Sequence, residues 1–165
     1  MFYIFEIATV MLVALTMALS VAHALELPGK LRLNKSEYLT VQPIYYPGFT
    51  IGGGAEMLGV FATLALLLMT PRTSPAFVPA LIAFGAMLLT HLTYWIATHP
   101  VNNFWLREQK LKGISASFFA FDFLTPNRGA GADWTALRDR WEYSHVARAV
   151  LSSIALLAVV IAVSI

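Results

Sequence analysis

Four long apolar stretches dominate the chain, at about residues 3–25, 52–70, 76–98 and 145–165. Each is long enough to cross a hydrocarbon core of about 30 Å as a helix that rises about 1.5 Å per residue. The last helix is expected to begin earlier, because Asp133 is a suitable N-cap and good helix formers follow it. The pattern predicts an all-α fold, an integral membrane four-helix bundle that forms a single domain over residues 1–165.

The connections between these stretches are of two kinds. Residues 70–75 form a short, proline-bounded turn, which forces the second and third spans to be antiparallel neighbours. The loops 26–51 and 99–144 are long, and Pro28 and Pro100 are expected to end the helices before them. Residues 114–124 are rich in phenylalanine but too short to span, which predicts an aromatic interfacial loop between helices 3 and 4.

Basic residues predict the orientation. Of the eleven lysines and arginines, only Arg72 lies in the short turn, and the others lie in the long loops or the adjoining start of the last helix. The positive-inside bias therefore places the long loops in the cytoplasm and both termini outside, most naturally in a bacterial inner membrane. Ala22-His23-Ala24 resembles a signal-peptide cleavage site, but Glu6 replaces the usual basic start, so we expect an uncleaved first span.

The amino-acid composition further limits the class of protein and the kinds of site to expect. The chain is 58% hydrophobic and 12% charged, which is too apolar for an ordinary soluble domain. It has no cysteine, which excludes disulfides, thiolate-bound zinc and cysteine-ligated iron–sulfur clusters. The net charge is only +2, and acidic residues are interleaved with the basic ones, so nucleic acid is not an expected partner. The basic loops suit the anionic headgroups of a lipid bilayer.

The ionisable residues of the spans are predicted to cluster at the side of the long loops. This set comprises His23, His91, His99, His145, Glu26, Glu56 and Glu142. Ionisable groups in or near a bilayer are costly, so their clustering predicts a functional site. We expect His23, His145 and either His91 or His99 to approach one another inside the bundle.

Three kinds of chemistry fit these residues. The first is a metal ion, iron or copper, because paired carboxylates and imidazoles three residues apart build metal sites in helical bundles. Its predicted ligands are His23, Glu26, Glu56, His91 and Glu142. The second is one haem b with two axial histidines. The third needs no cofactor and uses His145 or His99 as acid and base on a flat apolar molecule.

A simpler interpretation treats the same residues as ordinary interfacial groups. Glu142 would pair with Arg138 or Arg148, and His23 with Glu26, while the tryptophans would anchor the chain at the membrane surface. His91 and Glu56 fit this view less well, because both lie well inside their predicted spans.

The last third of the chain resembles a known family. His99-Pro100-Val101-Asn102, followed by Trp134, Arg140-Trp141, His145 and Arg148, is similar to small four-helix membrane proteins that include the fungal anthrone oxygenases and many bacterial members. Residues 22–30 (AHALELPGK) look like the bacterial members rather than the fungal enzymes. The resemblance implies oxidation of a flat, electron-rich aromatic molecule by oxygen. It also implies matching positions at Asn102, Trp141, His145 and Arg148.

These arguments together predict an oxygenase-like or redox protein with a pocket open to the cytoplasmic half of the bilayer. Its expected catalytic residues are His145, His99 and Arg148, and its expected substrate contacts are Trp95, Asn102 and Trp141. The alternative is a non-catalytic accessory subunit that associates with a larger membrane complex, or with copies of itself. The small size of the chain and the aromatic loop 114–124 would suit that role as well.

Overall fold

The computed structural model describes residues 2–46, 48–105 and 133–165. The predicted aromatic loop 114–124 therefore lies outside the described residues. The described chain is helical throughout and contains no strand, which confirms the predicted all-α class for these residues. Its helices are α1 (Phe2–Lys30), α2 (Lys35–Val41), α3 (Gly48–Met69), α4 (Phe77–Thr93), α5 (His99–Trp105) and α6 (Trp134–Ser164). A 3₁₀ turn covers Gln42–Tyr45, and a π turn covers Tyr94–Thr98.

Four helical stretches of the described chain are long and apolar enough to cross a membrane: Tyr3–Lys30, Gly48–Met69, Phe77–Asn102 and Trp134–Ser164. They pack as neighbours in a closed order, because α1 and α4 each contact both α3 and α6. Two contacts show that α3 and α4 run antiparallel. Met87 lies against Gly59, whereas His91, further along α4, contacts Glu56, which is earlier on α3.

The first helix does not end at Pro28, as the sequence suggested. It continues to Lys30, with Pro28 in its last turn. At this position the missing N–H removes one helical hydrogen bond, and the backbone N–H of Leu31 still donates to the Leu27 carbonyl at 3.0 Å. The extra turn matters for the site, because it carries the ammonium group of Lys30 into a buried position.

The prediction that Pro100 ends the third helix is also wrong. A proline inside a helix removes a donor and crowds the carbonyl four residues earlier, here that of Ile96. The chain accommodates Pro100 through the wider π turn just before α5. Arg140 of α6 donates a hydrogen bond to the Ile96 carbonyl at 2.6 Å, so the released acceptor is satisfied. The helix thus continues far enough to bring Asn102 to the site.

The other helix starts follow ordinary capping rules. Asp133 caps α6 as predicted, because its carboxylate accepts a hydrogen bond from the backbone N–H of Thr135 at 3.0 Å. Hydrogen bonds from Thr135 lower the pKa of Asp133. The predicted loop 26–51 contains α2, which begins with a capping box between Asn34 and Glu37. This short helix folds back and supplies Tyr38 to the buried end of the spans.

Candidate ligand-binding pocket

A cavity of about 270 Å³ lies between one end of the four long helices and the 3₁₀ turn. It is near the lower limit of the volumes of small-molecule sites. Eight of the residues predicted for the site line it, namely His23, Glu56, His91, Trp95, Asn102, Trp141, His145 and Arg148. Much of the remaining wall is apolar or aromatic and includes Leu19, Tyr45, Tyr46, Phe49, Met57 and Tyr94. His99, Glu26 and Glu142 do not line the cavity.

One wall of the cavity is a chain of hydrogen bonds between α3, α4 and α6. Trp95 Nε1 donates to His91 Nε2 at 3.0 Å, and His91 Nδ1 lies 3.0 Å from Glu56 Oε1. Because indole N–H only donates, His91 must accept at Nε2 and carry its proton on Nδ1, facing the carboxylate. The other oxygen of Glu56 accepts a hydrogen bond from Arg148. The carboxylate and the guanidinium are 5% and 11% exposed, so they form a nearly buried ion pair.

The structure brings His23 and His145 into direct contact. Their ring centroids are 4.2 Å apart, and the Trp141 ring lies 4.3 Å from that of His145. Arg148 connects this pair to the first wall, because one of its terminal nitrogens lies 3.1 Å from His145 Nδ1. His91 does not touch either histidine ring in this arrangement, but it joins them through Glu56 and Arg148.

Lys30 forms the centre of a second polar cluster beside the cavity. Its ammonium group lies 2.8 Å from Glu26 Oε2, 3.7 Å from Glu142 Oε1 and 3.4 Å from His23 Nδ1. Tyr45 and Tyr38 donate to Glu26 and Glu142, each at 2.7 Å. Burial raises the pKa of both hydroxyls, so each keeps its proton and remains a donor. The simpler pairing of Glu142 with Arg138 or Arg148 is therefore wrong.

The predicted metal ligands do not converge. Glu56 and His91 belong to the first wall, whereas His23, Glu26 and Glu142 surround Lys30. No group of three or more His, Asp or Glu side chains in the described ranges is arranged to hold a metal ion. Each of these carboxylates already has a basic neighbour, since Arg148 pairs with Glu56 and the ammonium group of Lys30 lies beside both Glu26 and Glu142. The geometry therefore gives no support to the predicted iron or copper site.

The two ends of the predicted His99–Asn102 motif have different roles. Asn102 Oδ1 accepts hydrogen bonds from Trp141 Nε1 at 2.7 Å and from the Tyr46 hydroxyl at 3.1 Å, which fixes the Trp141 ring in the wall. His99 is buried behind the wall, where its Nδ1 lies 3.0 Å from the Tyr94 hydroxyl and its ring 4.7 Å from that of Trp95. Since His99 does not line the cavity, it is placed to hold wall residues rather than to touch a ligand.

The sequence interpretation missed Lys30 and Tyr38. Both fall within the predicted loop 26–51, and Lys30 does so because Pro28 is expected to stop the first helix. A helical continuation would have shown that Glu26 and Lys30, four residues apart, share one face. No local signal points to Tyr38, because its carboxylate partner Glu142 is 104 residues away.

Comparisons with known proteins add no relative, since no family model, no curated protein and no solved structure matches this chain.

Proposed function

We propose that this chain is an integral membrane protein that binds a flat, apolar molecule in the cavity between its long helices. The observation that carries the proposal is a buried polar edge on a largely apolar and aromatic cavity. His145 is 4% exposed, lines the cavity and has no hydrogen-bond partner for Nε2 among the described residues. A mostly apolar pocket with a few placed polar groups is the usual form of a small-molecule site.

The shape of the walls supports a flat ligand. Tyr45 and Phe49 form an edge-to-face pair with centroids 5.4 Å apart, and Trp141 lies 6.0 Å from Tyr45. Aromatic walls favour aromatic ligands through offset-stacked and edge-to-face contacts, in addition to the apolar area they bury. Long apolar helices around the site would let such a molecule reach the cavity from a bilayer.

The reaction in this proposal is the one that the resemblance in the last third of the chain implies: oxidation of an electron-rich aromatic molecule by oxygen. His145 and Arg148 contact the substrate, Trp141 and Asn102 form its platform, and His99 is a positioning residue. The orientation proposed with it puts the cavity on the cytoplasmic side of a bacterial inner membrane and both termini outside, as the basic residues favour. Reporter fusions at Ile165 that are active only in the cytoplasm would contradict that orientation.

Binding can be tested on the full chain in lipid nanodiscs, with 1-naphthol as the probe and empty nanodiscs as the blank. We expect saturable quenching of tryptophan fluorescence, confirmed by calorimetry. Trp141→Leu should weaken binding at least tenfold, whereas Trp134→Leu is the matched control, since Trp134 lies on the same helix but does not line the cavity. Lack of saturable binding, or equal loss in both variants, would overturn the proposal. A chain that binds no probe but copurifies with a stoichiometric partner would favour the accessory subunit.

A further inference from the structure

The 3₁₀ turn covers the end of the cavity that lies nearest the long loops. Tyr45 of this turn lines the cavity and is 6% exposed, and its hydroxyl donates to Glu26 of α1 at 2.7 Å. The hydroxyl of the next residue, Tyr46, donates to Asn102 of α5 at 3.1 Å. These two hydrogen bonds hold the turn against both helices, so it forms a fixed cover.

The side of the cavity between α1 and α3 is closed by packing. Thr16 and Ser20 of α1 line the cavity, and each is only 2% exposed. Leu19 lies so close to Gly52 of α3 that a Cβ atom added at Gly52 would overlap Leu19 Cδ1. The two helices are therefore in tight contact beside the cavity.

The exposed part of the lining lies on the side between α3 and α4. Gly53 and Met57, one turn apart on α3, both line the cavity and are exposed, Met57 by 48%. His91 of α4 also lines it, and its side chain is 25% exposed, whereas that of its partner Glu56 is 5% exposed. A Cβ atom at Gly53 would meet no atom within 4 Å. The opening bounded by Gly53, Met57 and His91 is termed the lateral mouth.

The surroundings of the lateral mouth are apolar. Phe61, one turn beyond Met57 on α3, and Leu92, next to His91 on α4, are both exposed. The two helices belong to candidate membrane spans, and the mouth lies on their flanks rather than at their tips. Exposed apolar surface of this kind suits contact with lipid, so the mouth is placed to open toward acyl chains.

We propose that the ligand is an amphiphile whose flat ring occupies the cavity and whose apolar chain leaves through the lateral mouth into the bilayer. The inference rests on the proposed function and deepens it by naming the ligand class, a ring molecule anchored in lipid. A cavity of about 270 Å³ is near the lower limit for small-molecule sites, so a long chain has to extend beyond it. A chain that stays among acyl chains keeps its apolar surroundings when the ring binds.

The first measurement compares 1-naphthol with its 2-dodecyl and 4-dodecyl derivatives, which carry the same ring and an apolar chain in two directions. Dissociation constants are measured by calorimetry on the full chain in lipid nanodiscs, corrected for partitioning into empty nanodiscs. At least one derivative should bind within about threefold of 1-naphthol, because its chain can pass through the lateral mouth. A cavity closed on all sides would weaken the binding of both derivatives by about tenfold or more.

The second measurement locates the chain in the wild type. A photoreactive diazirine is placed in the dodecyl chain close to the ring, and the labelled residues are identified by mass spectrometry. Labelling should concentrate on residues 53–61 of α3 and 88–92 of α4, and excess 1-naphthol should reduce it. Labelling that spreads over the exposed faces of all four spans, concentrates on another part of the chain, or persists with excess 1-naphthol would overturn the proposal.

A matched pair of variants tests the mouth itself. Met57→Trp places a bulky ring at the lateral mouth and should weaken binding of the dodecyl derivative about tenfold more than binding of 1-naphthol. Leu58→Trp adds the same group at the next residue, which is also exposed but does not line the cavity, and should leave the ratio of the two affinities unchanged. Equal changes of that ratio in both variants would contradict a chain that passes beside Met57.

The outcomes keep the inference and the proposed function apart. Saturable binding of 1-naphthol together with loss of both dodecyl derivatives would overturn the lipid-anchored ligand and leave the proposed function intact. Failure of 1-naphthol itself to bind saturably would instead refute the proposed function, and the inference with it. Photolabelling needs no variant, so the inference stays testable even if Met57→Trp does not fold.

Discussion

The two halves of the long helices are held together by different kinds of contact. In the half away from the cavity, Val13, Leu66, Met87 and Val159 pack together, and hydroxyls bond within their own helix, as Thr9 does to the Phe5 carbonyl. In the cavity half, hydrogen bonds join residues as far apart as Tyr38 and Glu142, on different helices. One half associates by close packing and the other by long-range polar contacts.

This difference bears on the proposed binding function, because packing alone could join the helices. Van der Waals packing of small and apolar residues is enough to join helices in a bilayer, as the approach of Gly59 to Met87 illustrates. The buried Glu56–Arg148 pair is not needed for that purpose, because desolvation of two charges offsets much of their attraction. The proposed ligand-binding function gives a reason for keeping these polar groups.

The largest expected effect comes from opening the buried ion pair. Arg148→Met leaves the Glu56 carboxylate buried without its cation, which should cost about 3–5 kcal/mol of unfolding free energy. Arg138→Met is the matched control, because Arg138 lies on the same helix but pairs with the half-exposed Asp139; its cost should be about 0–1 kcal/mol. Denaturant unfolding in detergent measures both changes.

A double variant tests whether the buried, uncompensated charge causes the loss of stability in Arg148→Met. Arg148→Met combined with Glu56→Gln should regain much of the lost stability, because the uncompensated charge of Glu56 is then removed as well. An equal loss of stability in the single and double variants would show that the buried charge is not its cause. The cavity half would then depend less on its polar contacts than the hydrogen bonds suggest.

A change in the packed half should affect stability but not ligand binding. Leu66→Ala removes a side chain that is 3% exposed from the apolar core. We expect a loss of about 2 kcal/mol, the low end for such truncations, because lipid solvates apolar groups in the separated helices as well. The affinity for 1-naphthol should stay within twofold of the wild type in the same nanodisc assay. A large drop in affinity would mean that the cavity depends on packing at the far end.

The pH dependence of stability tests the burial of Tyr38 in the cavity half. Burial raises its pKa above the ordinary 10.0, so the folded chain keeps this proton at a pH where the unfolded chain loses it. Stability should therefore be insensitive to this group below about pH 10 and fall as pH rises further, by about 1.4 kcal/mol per pH unit. Tyr38→Phe should remove one proton's share of that alkaline loss. The matched control is Tyr143→Phe, which changes an exposed tyrosine of α6. Identical alkaline slopes for the wild type and Tyr38→Phe would contradict the assignment.

The four long apolar helices follow from the sequence, and the polar half follows only in part. Apolar periodicity and the N-cap at Asp133 predict the long helices, because those signals are local. The histidines and Glu56 could be placed near one end for the same reason. The partners of these residues could not be predicted, because Lys30 and Asn102 reach the site only after helices continue past Pro28 and Pro100. Tolerance of a proline depends on a tertiary contact, here that of Arg140 with the Ile96 carbonyl.

The smallest effect on stability is expected at Gly53, although the effect on binding should be large. Gly53 lines the cavity, and a Cβ atom added there would meet no atom within 4 Å. Gly53→Leu therefore begins its side chain in open space and is expected to occupy ligand space, and replacing a helical glycine should leave stability unchanged or raise it by up to about 1 kcal/mol.

Gly29→Leu is the matched control, because Gly29 is also helical and also meets nothing within 4 Å, but does not line the cavity. Binding of 1-naphthol should fall at least tenfold in Gly53→Leu and stay unchanged in Gly29→Leu. Thermal unfolding should give the two variants similar midpoints, because a Cβ atom at either position meets no neighbour within 4 Å. If Gly53→Leu instead binds the probe as the wild type does, the ligand does not occupy the part of the cavity beside α3. The binding surface would then have to be sought nearer to α6.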